Sequence, residues 1–94
     1  VIGRRVATVG DLERPGDYCG PLIGYTGDVP AVFFLLPNGA KEPGQKGRGS
    51  VHHVVSPPHQ FRECADGSLE IRESIGAMPL WHGYLDEGHV WRTV

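Results

Sequence analysis

Between Gly67 and Trp91 the side chains alternate in character with the period of a half-buried strand, and this pattern most limits what the chain can become. Leu69, Ile71 and Ile75 fall on one side and Ser68, Glu70, Arg72 and Ser74 on the other, as they would on a pleated sheet with one apolar and one polar face. Two glycine-ending tripeptides, Ala65-Asp66-Gly67 and Asp86-Glu87-Gly88, punctuate the pattern and read as three-residue hairpin loops with glycine in the left-handed position.

Closing the first loop pairs Phe61 with Ile71 and Arg62 with Glu70, whereas a two-residue loop would set Phe61 against Arg72. Closing the second sets Gly83 opposite Trp91 and Arg92 opposite His82. If Gly76-Ala77-Met78-Pro79-Leu80 is a five-residue hairpin loop between them, Ile75 pairs with Trp81, Ser74 with His82 and Arg72 with Tyr84. The result is a meander whose inner face carries Phe61, Leu69, Ile71, Ile75, Trp81, Leu85 and Trp91. Its outer face carries Arg62, Glu70, Arg72, Ser74, His82, Tyr84 and Arg92.

Upstream, Ala31 to Leu36 is apolar on both sides of the pleat and confined between Pro30 and Pro37. It is too short for a helix and is expected to be the central strand. Arg4 to Val9 reads as an edge strand, and Thr8 with Asp11 has helix-cap spacing for one turn through Leu12 before Pro15. Tyr18 to Tyr25, interrupted by Gly20 and Pro21, belongs at an edge or a bulge. Val51 to Val55 is a further strand, ended by Pro57-Pro58. The expected fold is therefore all-β: a single domain over residues 1–94, a small antiparallel meander or partly closed barrel, with at most one short helical turn near the N-terminus.

Composition agrees with many short strands: 14 glycines and 8 prolines among 94 residues lie between apolar runs and form no low-complexity tract. A net charge of -2 with mixed signs gives no field that favours nucleic acid or an anionic membrane. The longest apolar run, Val29 to Pro37, is far short of the roughly 20 residues of a spanning helix. A cytoplasmic protein with no membrane partner is expected. Cys19 and Cys64 have neither redox nor zinc spacing and are expected to stay reduced.

Three chemistries are open to the polar residues. Ser74 activated by His82 would form a nucleophilic dyad, but no acid on that face is placed to orient the imidazole and no nucleophile-elbow sequence is present. His53 (or His52), His59, Cys64 and His82 suffice in number for a metal, yet their spacing matches no zinc pattern. Recognition of an anionic or planar partner suits Arg72, Ser74, His82, Tyr84 and Arg92 best, through guanidinium forks and a stacking ring. No cofactor is expected. The glycine-rich loop from Asn38 to Ser50, with Lys41, Lys46 and Arg48 against Glu42 alone, reads either as a clamp on an anionic partner or as a solvated connection. It is not a phosphate loop, because Gln45 stands where the Walker pattern needs lysine.

The ending Asp66-Gly67-Ser68-Leu69-Glu70-Ile71-x-x-Ser74-Ile75, followed by Trp81-His82-Gly83-Tyr84-Leu85-x-x-Gly88-x-Val90, resembles a family of small proteins of phages, prophages and mobile elements classed as a domain of unknown function. Val32 to Gly39 and Val51 to Val54 are similar to its middle. The resemblance implies a small β-rich fold expressed in the bacterial host's cytoplasm, and no reaction. Some relatives carry a cysteine-rich, metal-binding-like cluster where this chain has only Cys64. Phage accessory proteins of this size often act by binding, including neutralising host defences. The expected function is thus a non-enzymatic binding module for a host protein or an anionic small ligand, with a small hydrolase or metal protein as the alternative.

Overall fold

Eight short strands account for nearly all the regular structure in the computed structural model, which describes all 94 residues. They are β1 (Arg4–Val6), β2 (Asp17–Leu22), β3 (Ala31–Phe34), β4 (His52–Val55), β5 (Gln60–Glu63), β6 (Leu69–Ala77), β7 (Trp81–Asp86) and β8 (Val90–Thr93), with one 3-10 turn over Val9–Asp11. The all-β expectation holds, and the single meander is resolved into two four-stranded sheets, β1-β2-β3-β4 and β5-β6-β7-β8. Every pairing is antiparallel except β1 with β2.

The 3-10 turn forms where Thr8 and Asp11 predict it. The Asp11 carboxylate accepts from the Thr8 backbone N–H at 3.2 Å and from its hydroxyl at 2.8 Å, satisfying a donor that the turn leaves open. β2 carries the expected bulge, between Cys19 and Leu22, but lies inside the sheet and not at its edge. The bulge makes this possible: it takes the Pro21 nitrogen, which has no proton to donate, out of the ladder.

β3 is the centre of the packing. Ala31 to Leu36 are all buried. Val32, Phe34 and Leu36 face the second sheet, where they meet Leu69, Ile71, Ile75, Trp81, Leu85 and Trp91. Ala31, Phe33 and Leu35 form a smaller cluster with Leu12 and Cys19 on the other side. An apolar residue at every position of this strand thus reflects burial of both its faces. Both cysteines are free and buried, and burial pushes the Cys19 thiol up.

The sheets are tied at their ends. Val1 to Gly3 run antiparallel to β8, with Trp91 N–H on the Val1 carbonyl at 2.8 Å and Gly3 N–H on the His89 carbonyl at 2.7 Å. From there β1 reaches the β5–β6 turn, where the Arg5 guanidinium donates to both Glu63 oxygens at 2.7 Å and to the Gly67 carbonyl at 3.0 Å. At the far end Asn38 donates to the Leu80 carbonyl at 3.0 Å. β4 and β5 do not pair, so the sheets remain open on that side and do not close into a barrel. No helix is long and apolar enough to cross a membrane.

Asp17 is the one buried carboxylate of the first sheet. It accepts from Arg4 Nη2 at 2.8 Å and from the backbone N–H groups of Glu13 and Arg14 at 3.0 Å. Burial alone would raise its pKa, but the Arg4 pair and the two N–H donors hold it below the usual carboxylate range. Glu63 and Asp86 are lowered as well, by bonds from Arg5 and Arg92 respectively. A carboxylate with a depressed folded pKa stabilises the fold above its unfolded value, about 4, and loses that contribution as pH falls through the folded value. The urea midpoint is therefore expected to be flat from about pH 7 to pH 5 and to fall steeply below about pH 4. Asp17→Asn should be less stable at neutral pH and show a shallower acid decline; an unchanged decline would mean that Asp17 does not govern it.

Candidate functional site

The outer face of the second sheet is where the chain gathers its arginines, and the register decides who meets whom. β5 and β6 pair as expected, Phe61 with Ile71 and Arg62 with Glu70. β6 and β7 do not. Ile75 lies opposite Gly83, Gly76 opposite His82 and Ala77 opposite Trp81, so the connecting loop is Met78-Pro79-Leu80, shorter than the five residues expected. The difference is absorbed by a bulge between Ile71 and Ile75, where Glu73 adopts the left-handed conformation (φ 64). Arg72, Glu73 and Ser74 consequently share the span of β7 that holds only Tyr84. Ser74 is not opposite His82, and the cross-strand pairing on which the dyad rested is absent. The Ser74 carbonyl instead lies 3.3 Å from Nε2 of His59; because a carbonyl only accepts, that nitrogen carries the proton.

β8 is displaced from its expected register by two residues. Leu85 faces Trp91 and Tyr84 faces Arg92, so Gly83 is not opposite Trp91, nor His82 opposite Arg92. The loop is Glu87-Gly88-His89, with His89 in the left-handed region (φ 62). A shift of two preserves the alternation, so Trp91 still points inward and Arg92 outward. The cover over Gly83 comes from Trp81 in its own strand.

These registers bring Arg72, Tyr84 and Arg92 together around Asp86. Arg72 Nη1 donates to Asp86 Oδ1 at 3.0 Å and Arg92 Nε to Oδ2 at 2.8 Å, while the Arg92 guanidinium lies 4.2 Å above the Tyr84 ring centroid, within cation–π range. The array continues outward. Arg72 Nη2 reaches Glu70 at 2.9 Å, Arg62 reaches Glu70 at 3.1 Å, and Arg62 also meets Glu87 at 3.4 Å. Glu70 is lowered in pKa by its bond from Arg62 first, and Arg62 and Arg92 are raised by their carboxylates.

Exposure orders the array by depth. Side chains of Arg62, Arg72 and Arg92 are 57%, 45% and 54% exposed, those of Glu70 and Asp86 only 14% and 24%. Three guanidiniums therefore lie over two partly buried carboxylates that hold them in place. Sequence reasoning passed over Asp86 as a turn residue. Its signal was the alternation, which places it on the face of Tyr84 and His82. Ser74 and His82 lie beside this array, and no side-chain hydrogen bond joins them to it.

The residues weighed as metal ligands are dispersed. His53 packs at a tilt against Phe33 on the first sheet, with ring centroids 5.6 Å apart. His59 is held at the Ser74 carbonyl, Cys64 is buried in the β5–β6 turn with its thiol 3.7 Å from the Arg62 carbonyl, and His82 is on the second sheet. His52, on the opposite pleat from His53, stacks on Phe34. No three His, Cys, Asp or Glu side chains are grouped so as to hold a metal ion, and the residues here do not fit a cysteine-rich metal cluster.

A second polar cluster joins the sheets. The buried Tyr18 hydroxyl is 2.6 Å from His89 Nδ1 and accepts from the Leu69 N–H at 3.2 Å. Ser68 Oγ accepts from the Gly88 N–H at 2.8 Å, fastening the two hairpin turns side by side. These bonds span 51 residues or more for Tyr18, and no local pattern announces them. Comparison with family models, curated proteins and solved structures gives no match.

Proposed function

We propose that the chain is a non-enzymatic binding module, of the phage or mobile-element accessory kind that its ending resembles, and that it binds a protein through the Arg62, Arg72, Tyr84 and Arg92 face. One observation carries this reading: three exposed guanidiniums stand over recessed carboxylates, with Tyr84 beneath Arg92. Holding long side chains in place before contact reduces the ordering cost of binding, and arginine and tyrosine are the residues that dominate protein interfaces.

The same array argues for a protein over a free anion at this face. Arg62, Arg72 and Arg92 are balanced in formal charge by Glu70, Asp86 and Glu87, so the face has no net positive field to attract nucleic acid or a small anion. A protein surface with its own carboxylates and carbonyls can use the N–H groups that still point outward. A host protein is thus the partner class we favour. Ser74 and His82 flank the face as rim residues.

The test is a cross-linking capture from a bacterial host lysate followed by a purified binding measurement with the captured protein. Arg72→Ala/Arg92→Ala is expected to weaken that affinity by about tenfold or more while leaving the circular dichroism spectrum unchanged. Equal affinity in the folded double variant would rule this face out. Saturable binding of a small anion at this face, abolished by the same double variant, would favour the anionic ligand instead.

A further inference from the structure

The arginines on the strands of both sheets are paired with carboxylates, and the unpaired cations lie in the loops. Arg4, Arg5, Arg62, Arg72 and Arg92 each pair with a carboxylate, whereas Arg14, Lys41, Lys46 and Arg48 do not. All but Arg14 belong to the loop between β3 and β4. Two of them, Lys41 and Arg48, line one small cavity of about 100 Å³ together with Leu35, Leu36, Pro15 and Glu13.

Both cations are braced by groups that do not cancel their charge. Arg48 Nη1 donates to the Leu12 carbonyl at 2.8 Å and approaches that of Val9 at 3.4 Å. Lys41 donates to the Gly47 carbonyl, and its stem runs against Gly49, whose absent Cβ would lie 3.3 Å from Lys41 Cγ. Gly49 has φ +88, a conformation that only glycine adopts at little cost. The loop thus folds back on Lys41, which lines the same cavity as Arg48. Carbonyl dipoles orient these groups but leave two positive charges at the cavity against one negative, Glu13.

We infer that this cavity is a site for a small oxyanion, a carboxylate or a phosphate group, held between Lys41 and Arg48. A cavity of this volume has room for such a group. Arg48 supplies fork donors and Lys41 a point charge, the combination that suits either oxyanion. Glu13 opposes the anion and limits its affinity. The site is on the first sheet and is independent of the arginine face of the second.

The experiment is a titration of ¹⁵N-labelled protein at fixed ionic strength, with sodium phosphate in one arm and sodium acetate in the other, chloride being replaced in each. Saturable shifts of the Gly39, Gly47 and Gly49 amides are expected in at least one arm, the tighter arm naming the oxyanion. Lys41→Ala should weaken binding about tenfold, the worth of one charge-assisted hydrogen bond. Arg48→Ala should do the same; because Arg48 also braces the 3-10 turn, Lys41→Ala, which removes no bond to that turn, decides the matter if the Arg48 variant fails to fold. Glu13→Gln should tighten binding several-fold, and Arg72→Ala/Arg92→Ala should leave it unchanged. Linear, unsaturable shifts in both arms, unchanged affinity in Lys41→Ala, or weaker binding in Glu13→Gln would each overturn the inference.

Discussion

Trp91→Ala is expected to lower stability by about 3–5 kcal/mol, the range for removing a large buried aromatic side chain, and to leave the protein largely unfolded at moderate temperature. Trp91 is 3% exposed and stands where the two sheets meet. Its ring is edge-on to Tyr18 and to Trp81, with centroids 6.0 and 5.6 Å away, and packs on Phe34 at 5.3 Å. Its Nε1–H donates to the Gly16 carbonyl at 2.8 Å, and its edge occupies the space where a Cβ on Gly3 would stand, 2.6 Å from Nε1. Trp91→Phe should cost less, about 1–3 kcal/mol, since much of the ring remains and the Gly16 carbonyl loses its donor. Urea denaturation gives both values; similar midpoints for Trp91→Ala and the wild type would refute this account of the core.

Gly83→Ala is expected to cost about 3 kcal/mol, at the upper end for overpacking. The cause is space, since Gly83 does not have positive φ: an added Cβ would fall 2.2 Å from the Arg92 carbonyl oxygen and 2.5 Å from Cζ2 of Trp81. Backbone stands on one side and a buried indole on the other, so neither can yield without opening the β7–β8 ladder. Gly76 provides the contrast. It sits in β6 opposite His82 with nothing within 4 Å of its missing Cβ, so Gly76→Ala should be neutral or stabilising by about 0.5 kcal/mol, by restricting the unfolded chain. Measured together by urea denaturation, the pair also tests the register, because a five-residue loop beginning at Gly76 would remove that residue from the sheet. Equal midpoints for the two variants would contradict the packing described.

The β5–β6 hairpin was legible in full because its information is local: Ala65-Asp66-Gly67 specifies the loop, Gly67 takes its left-handed place (φ 87), and the pairs that follow are chemically sensible. The other two hairpins each depend on a residue that is not glycine yet has positive φ. His89 takes that conformation while its ring is bonded to the Tyr18 hydroxyl from the first sheet. Glu73 takes it beside Ser74, whose carbonyl receives the His59 ring. Each is an unfavourable local choice supported by a contact from elsewhere in the chain, and neither contact can be read from the residues around the turn. The arginine face was legible as a set of side chains but not as an array, since the role of Asp86 depends on which residues of β6 and β8 stand beside it.

By itself, then, the sequence determined the all-β class, the buried central strand and the inward sense of Leu69, Ile71, Ile75, Trp81, Leu85 and Trp91, though not the burial of Ser68, which it set on the polar side. Period-two alternation and turn chemistry act over a few residues, and a register error of two leaves them intact. Only the tertiary structure decided that the chain forms two sheets, that Ser74 and His82 are not cross-strand partners, and that Asp86 gathers Arg72 and Arg92 over Tyr84. Those outcomes depend on bulges and long-range bonds whose partners are distant in the chain, and their stability is settled where the sheets pack.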